Sequence, residues 1–167
     1  MDIITPRRSP SRAFVWLGVL TLMIGIGLLS ACAGKPKEKP PLKLSLEIEA
    51  TADVNLGPGG KPLPVVVRVY ELKGQGTFMT ADFYSLFDNE SGVLGPDLIA
   101  REELTLRPGQ RQEIARPLAP DAAYIGVVAA YRDIDRSRWR ASTRIAPDTD
   151  NAIRIVVAAE AVSAYAQ

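Results

Sequence analysis

From Leu42 to Ala50 the chain alternates strictly. Leu42, Leu44, Leu46, Ile48 and Ala50 are apolar, and Lys43, Ser45, Glu47 and Glu49 between them are polar or charged. Successive side chains of a strand point to opposite faces, so a period of two predicts a β-strand with one face buried and one wet. The same grammar recurs. Val65 to Leu72 is β-branched and mostly apolar on both faces, as a central strand would be. Leu98 to Leu106, Gln112 to Leu118, Tyr124 to Arg132, Arg138 to Ile145 and Ala152 to Ala159 read as further strands. Turn formers separate them, among them Arg107-Pro108-Gly109-Gln110 and Pro147-Asp148-Thr149-Asp150-Asn151. Seven strands, all but one with a polar face, predict an all-β fold: a two-sheet antiparallel β-sandwich.

One stretch breaks the pattern. After the second strand, Gly74-Gln75-Gly76 makes a turn and Thr80 is expected to cap a short helix over Ala81 to Asp88. Phe83, Leu86 and Phe87 fall at helical spacing, with Tyr84 beside them. That stripe is expected to plug one end of the core in preference to forming a ligand platform. The fold expectation therefore includes one or two short helices inserted after the second strand.

The N-terminal region has a different character. Arg7, Arg8 and Arg12 precede an uncharged apolar run from Ala13 to Leu29, which ends in Leu29-Ser30-Ala31-Cys32. This is the layout of a secretory signal closed by a lipobox, with Cys32 the residue that receives lipid. A single transmembrane anchor is the competing reading, because the run approaches a bilayer's thickness. Gly18, Gly25 and Gly27, and the abrupt small-small-Cys stop, argue against it. The expected organisation is a signal peptide over 1–31, lipidated Cys32 and a Pro/Lys-rich tether over 32–41, a sandwich over 42–160, and a C-terminal tail over 161–167. At roughly 3.1 Å per residue in a polyproline-like conformation, the tether reaches about 28 Å. Ala33, where an Asp would favour inner-membrane retention, points by analogy to the outer membrane.

Composition narrows the chemistry. Cleavage before Cys32 removes three arginines and Asp2, so the formal net charge of +1 falls by two, to −1. No cationic field remains to attract nucleic acid. The chain has no His and one Cys. Nucleophilic triads, the usual zinc and copper sites, and disulfides are therefore not expected. No cofactor, metal or small-molecule substrate is expected beyond the diacylglycerol and N-acyl chain on Cys32. Asp133 and Asp135, flanked by Arg132, Arg136 and Arg138, would both stay ionised. Asp148, Asp150 and Asn151 offer fewer oxygens than the roughly six to eight that calcium takes. Both groups read as turn chemistry, and the chain does not read as an enzyme.

The segment Asp53-Val54-Asn55-Leu56-Gly57-Pro58-Gly59-Gly60-Lys61-Pro62 is long for a hairpin connection and carries two apolar side chains, Val54 and Leu56, among turn formers. A binding loop on a rigid scaffold and a plain cross-sheet connection both fit. Arg138, Arg140 and Arg144, on one face of a strand, form a second candidate surface. A ligand-binding sandwich would instead need an apolar cleft around Trp139, Tyr124 or Tyr131.

A family resemblance bears on this choice. The lipobox and tether, then Ala52-Asp53-Val54-Asn55 and Pro64-Val65-Val66-Val67-Arg68-Val69-Tyr70-Glu71-Leu72, resemble the type VI secretion outer-membrane lipoprotein (TssJ, or SciN) family. The likeness continues through Phe78, Ala81-Asp82-Phe83-Tyr84-Ser85-Leu86, Leu106-Arg107-Pro108-Gly109 and Gly126-Val127-Val128-Ala129-Ala130-Tyr131-Arg132-Asp133, to Trp139-Arg140. It implies a transthyretin-like sandwich with added helices. It also implies a structural lipoprotein on the periplasmic face of the outer membrane, bound to outer-membrane lipid and to the periplasmic C-terminal domain of an IcmF-like (TssM-type) protein. In that family the first inter-strand loop carries partner contacts. Here that assigns Asp53, Val54, Asn55, Leu56, Gly57, Gly59, Gly60 and Lys61.

Overall fold

The alternating segment becomes strand β1, Lys43–Ala50, with Leu44, Leu46, Ile48 and Ala50 buried on one face. The computed structural model describes residues 40–167. The expected signal segment, Cys32 and the tether up to residue 39 lie outside the described residues. Seven more strands follow: β2 Val65–Leu72, β3 Leu98–Leu106, β4 Arg111–Pro117, β5 Tyr124–Ala130, β6 Arg140–Arg144, β7 Asn151–Val157 and β8 Val162–Ala166. They form two four-stranded sheets, ordered β4-β1-β7-β8 and β3-β2-β5-β6. The two-sheet sandwich is as expected, with two corrections.

First, β1 and β7 run parallel, whereas every other strand pair is antiparallel. A parallel pair needs a long crossover, and here it contains all four strands of the second sheet and also β4. Second, residues 161–167 are not a tail. Val162 is buried, Ala164 packs on the core, and β8 pairs with β7 from Val157↔Val162 to Ile153↔Ala166. Its five residues, Val-Ser-Ala-Tyr-Ala, are too few to show a clear alternation, and the pairing partner supplies the rest. Arg138 then laces the two sheets together along this side. Its N–H donates to Glu160 O at 2.8 Å, and its carbonyl accepts from Val162 N–H at 2.9 Å.

The main core lies between the sheets, with Leu46, Ile48, Val67, Val69, Val127 and Ile155 at its centre. Truncating one such side chain costs about 2–5 kcal/mol. A second apolar layer covers the outer face of β2 and β5, where Tyr70, Leu72 and Val128 meet Phe78, Leu86 and Leu94. That layer explains why β2 is apolar on both faces. Among the described residues both clusters are built from residues 42–164, and residues 40–167 form a compact unit with this core of their own.

The second layer comes from three short helices inserted between β2 and β3: α1 Gly76–Thr80, α2 Phe83–Asp88 and α3 Glu90–Leu94. Thr80 does not cap the helix expected over 81–88. Its hydroxyl instead donates back to Gly76 O within α1, at 3.1 Å. Asp82 caps α2 by accepting from Ser85 N–H at 2.9 Å, and Asn89 caps α3 by accepting from Gly92 N–H at 3.3 Å. A carboxylate or amide oxygen one turn ahead of an N–H is the stronger cap. The Phe83-Leu86-Phe87 stripe does not plug an end of the sandwich; it faces the outer surface of the second sheet.

Candidate partner-binding surface

The chain crosses from one sheet to the other between β1 and β2, so the length of the Asp53–Lys61 loop is that of a crossing. Length alone thus carries no argument for binding. Local chemistry sets its shape. Asp53 accepts from the Thr51 hydroxyl at 2.6 Å. Val54 is fully buried in the core, not unpaired on the surface as its place among turn formers suggested. Asn55 adopts a left-handed backbone (φ 52°), which Asn tolerates better than most side chains. Its amide donates to Pro64 O at 2.7 Å, its side-chain oxygen accepts from Arg132 N–H at 2.7 Å, and its N–H donates to Ala159 O at 3.1 Å.

Beyond Asn55 the loop turns outward. Leu56 bridges to Pro62 across the loop's neck and stays 36% exposed. Gly57 N–H donates to Lys61 O at 2.8 Å, and Pro58–Gly60 form a single tight turn. Gly59 and Gly60 take φ of 70° and 73° there, which side-chain-bearing residues rarely adopt. Of the eight assigned loop residues, Val54 and Asn55 are therefore structural, and Gly57 is half-buried. Asp53, Leu56, Gly59, Gly60 and Lys61 face solvent.

Three other connections meet the loop. Thr51 O accepts from Gly109 N–H in the β3–β4 turn at 3.2 Å, Arg132 follows β5, and Ala159 lies between β7 and β8. The result is one end surface stitched by backbone hydrogen bonds. It lies at the opposite end of β1 from Lys43, where the N-terminal segment joins. Eight strand residues separate the two ends, roughly 26 Å at about 3.3 Å per residue. Arg107 and Arg132, both exposed here, were not assigned from the sequence; only tertiary pairing brings them beside the loop.

The arginine face of β6 is not a free surface. Arg140 donates to Phe78 O at 3.0 Å and Ala81 O at 2.5 Å, and the Ser142 hydroxyl donates to Gln75 Oε1 at 2.7 Å. The helices cover the middle of that strand, leaving Arg138 and Arg144 exposed at its ends. Asp133 approaches Arg136 at 3.9 Å. Asn151 bonds Ala146 N–H, Ala146 O and Thr149 O, as a turn residue does. Among the described residues no group of acidic, His or Cys side chains has the arrangement of a metal site. No helix among them is long and apolar enough to cross a membrane.

A cleft of about 430 Å³ lies beside Trp139, lined also by Phe83, Tyr84 and Ile134. The Phe83 ring meets Trp139 edge-on at 5.2 Å, and the Arg140 guanidinium lies 4.6 Å from the Trp139 ring. Tyr131 is buried elsewhere, with its hydroxyl donating to Ala158 O at 3.1 Å.

Over residues 42–160 the chain matches the profile of a family described as type VI secretion lipoprotein, VasD, EvfM, TssJ, VC_A0113. The chain belongs to the type VI secretion lipoprotein family. The crystal structure of the T6SS lipoprotein TssJ1 from Pseudomonas aeruginosa is 34% identical, with a TM-score of 0.73, over 77% of this chain and 98% of that one. Serratia marcescens Lip, described as a membrane bound component of the Type VI Secretion System, is 32% identical, with a TM-score of 0.68, over 77% and 99%. A chain in the structure of the T6SS protein TssM C-terminal domain (869-1107) from EAEC is 31% identical, with a TM-score of 0.60, over 74% and 97%. No curated protein matches the chain. The eight-stranded sandwich with its helical insertion is thus the fold of type VI secretion lipoproteins.

Proposed function

We propose that this type VI secretion lipoprotein is held in the outer membrane by acyl chains on Cys32 and binds the periplasmic C-terminal domain of the IcmF-like (TssM-type) inner-membrane protein. It acts without catalysis, fixing the trans-envelope complex at its outer end. The observation that carries this reading is the placement of the 53–61 loop at the end of the sandwich remote from Lys43. Along β1 that end is about 26 Å from the point where the N-terminal segment joins. A partner reaching across from the inner membrane meets it first.

The chain matched in the TssM structure adds support. It is almost filled by three quarters of this chain, so it is much shorter than a segment running from 869 to 1107. A second component of a complex has that relation to the named domain.

Calorimetric titration of residues 40–167 with the periplasmic C-terminal domain from the same organism tests the reading. A variant with Asp53–Lys61 replaced by a short turn is run alongside. Micromolar or tighter binding that disappears in the variant is expected. A folded wild-type domain that does not bind overturns the proposal.

A further inference from the structure

The cleft beside Trp139 runs between the start of α2 and the single turn Ile134–Arg136. Its floor is Trp139 packed edge-to-face with Phe83, and Tyr84 stands at its lip, 62% exposed. Asp82 and Asp135 also line it, and both are exposed. The one cation in the lining, Arg140, is committed to the carbonyls of Phe78 and Ala81. Arg136, the neighbour of Asp135, leans toward Asp133 instead. Neither Asp82 nor Asp135 has an ion-pair partner among the described residues. Asp82 stays ionised, because the Ser85 N–H it accepts holds its carboxyl below the usual range.

Aromatic walls beside two uncompensated carboxylates suit one kind of visitor. The methylene stem of a lysine or arginine packs against Tyr84 and Trp139, and its charged head donates charge-assisted hydrogen bonds to the carboxylates. A glycan needs a free ring face to stack on. Trp139 is packed edge-to-face with Phe83, and the Arg140 guanidinium already lies over its ring.

We propose that this cleft receives a lysine or arginine side chain of the periplasmic protein partner, as a second contact beside the 53–61 loop. The two sites are linked through the backbone. The chain that walls the cleft at Ile134 and Asp135 is the one whose Arg132 N–H bonds Asn55. The identity of the partner rests on the proposed function; the chemistry of the cleft does not.

Trp139 is the sole Trp of residues 40–167, so the fluorescence of that domain reports on the cleft directly. Tri-arginine, tri-glutamate and a tri-N-acetylglucosamine oligomer serve as probes. The variants are Tyr84→Ala/Asp135→Asn and, on the outer face of the other sheet, Tyr165→Ala. Tri-arginine alone is expected to shift the emission, with at least fivefold weaker response in the double variant and no change in Tyr165→Ala. A response to the glycan without one to tri-arginine, a response unaffected by the double variant, or no response at all overturns the inference. A parallel calorimetric titration uses the IcmF-like periplasmic domain. Binding about tenfold weaker in the double variant is expected, and binding within twofold of wild type overturns the partner assignment. A wild-type domain that fails to bind sinks the proposed function while the tri-arginine result still decides the cleft.

Discussion

The carboxylate of Glu71, fully buried on β2, accepts from the guanidinium of Arg116 on β4 and so joins the two sheets from inside. Its second oxygen accepts from Ala119 N–H at 2.9 Å, and Arg116 also reaches Glu102 on β3 at 3.4 Å. No buried side-chain polar atom among the described residues lacks a partner. The pair therefore closes one edge of the sandwich with charge, opposite the edge that Arg138 laces with backbone hydrogen bonds. Burial pulls the Arg116 guanidinium below its usual range, which is the desolvation cost of that position.

Removing Arg116 strands the fully buried Glu71 carboxylate, whereas Arg116 without Glu71 is 26% exposed and keeps Glu102 as a partner. Arg116→Ala is expected to lower unfolding free energy by about 3–5 kcal/mol, and Glu71→Ala by less. The double replacement Glu71→Met/Arg116→Met removes both charges and is expected to fall within about 1 kcal/mol of wild type. Urea denaturation of residues 40–167 decides it. A double variant as unstable as the worse single variant would show that geometry, not charge, holds this edge.

Tyr70 gives the domain a limit in alkali. Its hydroxyl donates to Glu90 at 3.1 Å beneath the helical layer, and burial pushes its pKa up to about 12. An unfolded tyrosine ionises near 10, so above that pH the unfolded chain releases the proton first and folding loses ground. The stability is intact below about pH 10 and is lost as pH rises toward 12, by about 1 kcal/mol at pH 11 from this residue. Tyr131, also raised by burial, adds a loss of the same sign. Denaturation midpoints at pH 9 and pH 11 should fall less in Tyr70→Phe than in wild type. Equal falls would mean that Tyr70 ionises normally in the fold.

Asn55 is expected to matter more for shape than for contact. Asn55→Ala loses the bonds to Pro64 O and Arg132 N–H and puts a methyl on a left-handed backbone. The expected cost is about 2–3 kcal/mol, with the Arg132 amide exchanging its hydrogen faster. Asn55→Gly keeps the backbone conformation and should recover roughly 1 kcal/mol of that loss. The two variants being equally unstable would remove the backbone from the account.

The pattern of these positions shows what a linear chain displays and what it conceals. Val65–Leu72 and Leu98–Leu106 are legible to the residue, because Pro64, Gly74, Pro96 and Pro108 stand within two residues of their ends. Nothing local pairs Glu71 with Arg116, which lies 45 residues away. β8 is not legible because five residues with Ser and two Ala among them give too short a pattern without β7 beside them. The 53–61 loop was noticed for its length, which turned out to be the cost of changing sheets. Its claim to a partner rests instead on where the sheets place it. The cleft at Trp139 assembles side chains from α2 and the segment after β5, more than 50 residues apart, and no spacing rule joins those.

The proposed function puts anchoring and binding at opposite ends of the domain, so they should fail separately. Cys32→Ser removes the acyl acceptor; one chain alone binds membrane only marginally, and firm anchoring takes more than one. That variant is expected to leave the membrane fraction, to keep its affinity for the IcmF-like periplasmic domain, and to lose type VI secretion. The variant with Asp53–Lys61 shortened is expected to do the reverse at the first two steps, staying with the membrane but not binding, and also to lose secretion. Fractionation, calorimetry and a secretion assay on the two variants give six results. Secretion surviving in Cys32→Ser would mean that the complex needs the domain but not its lipid, and the anchoring role would have to be given up.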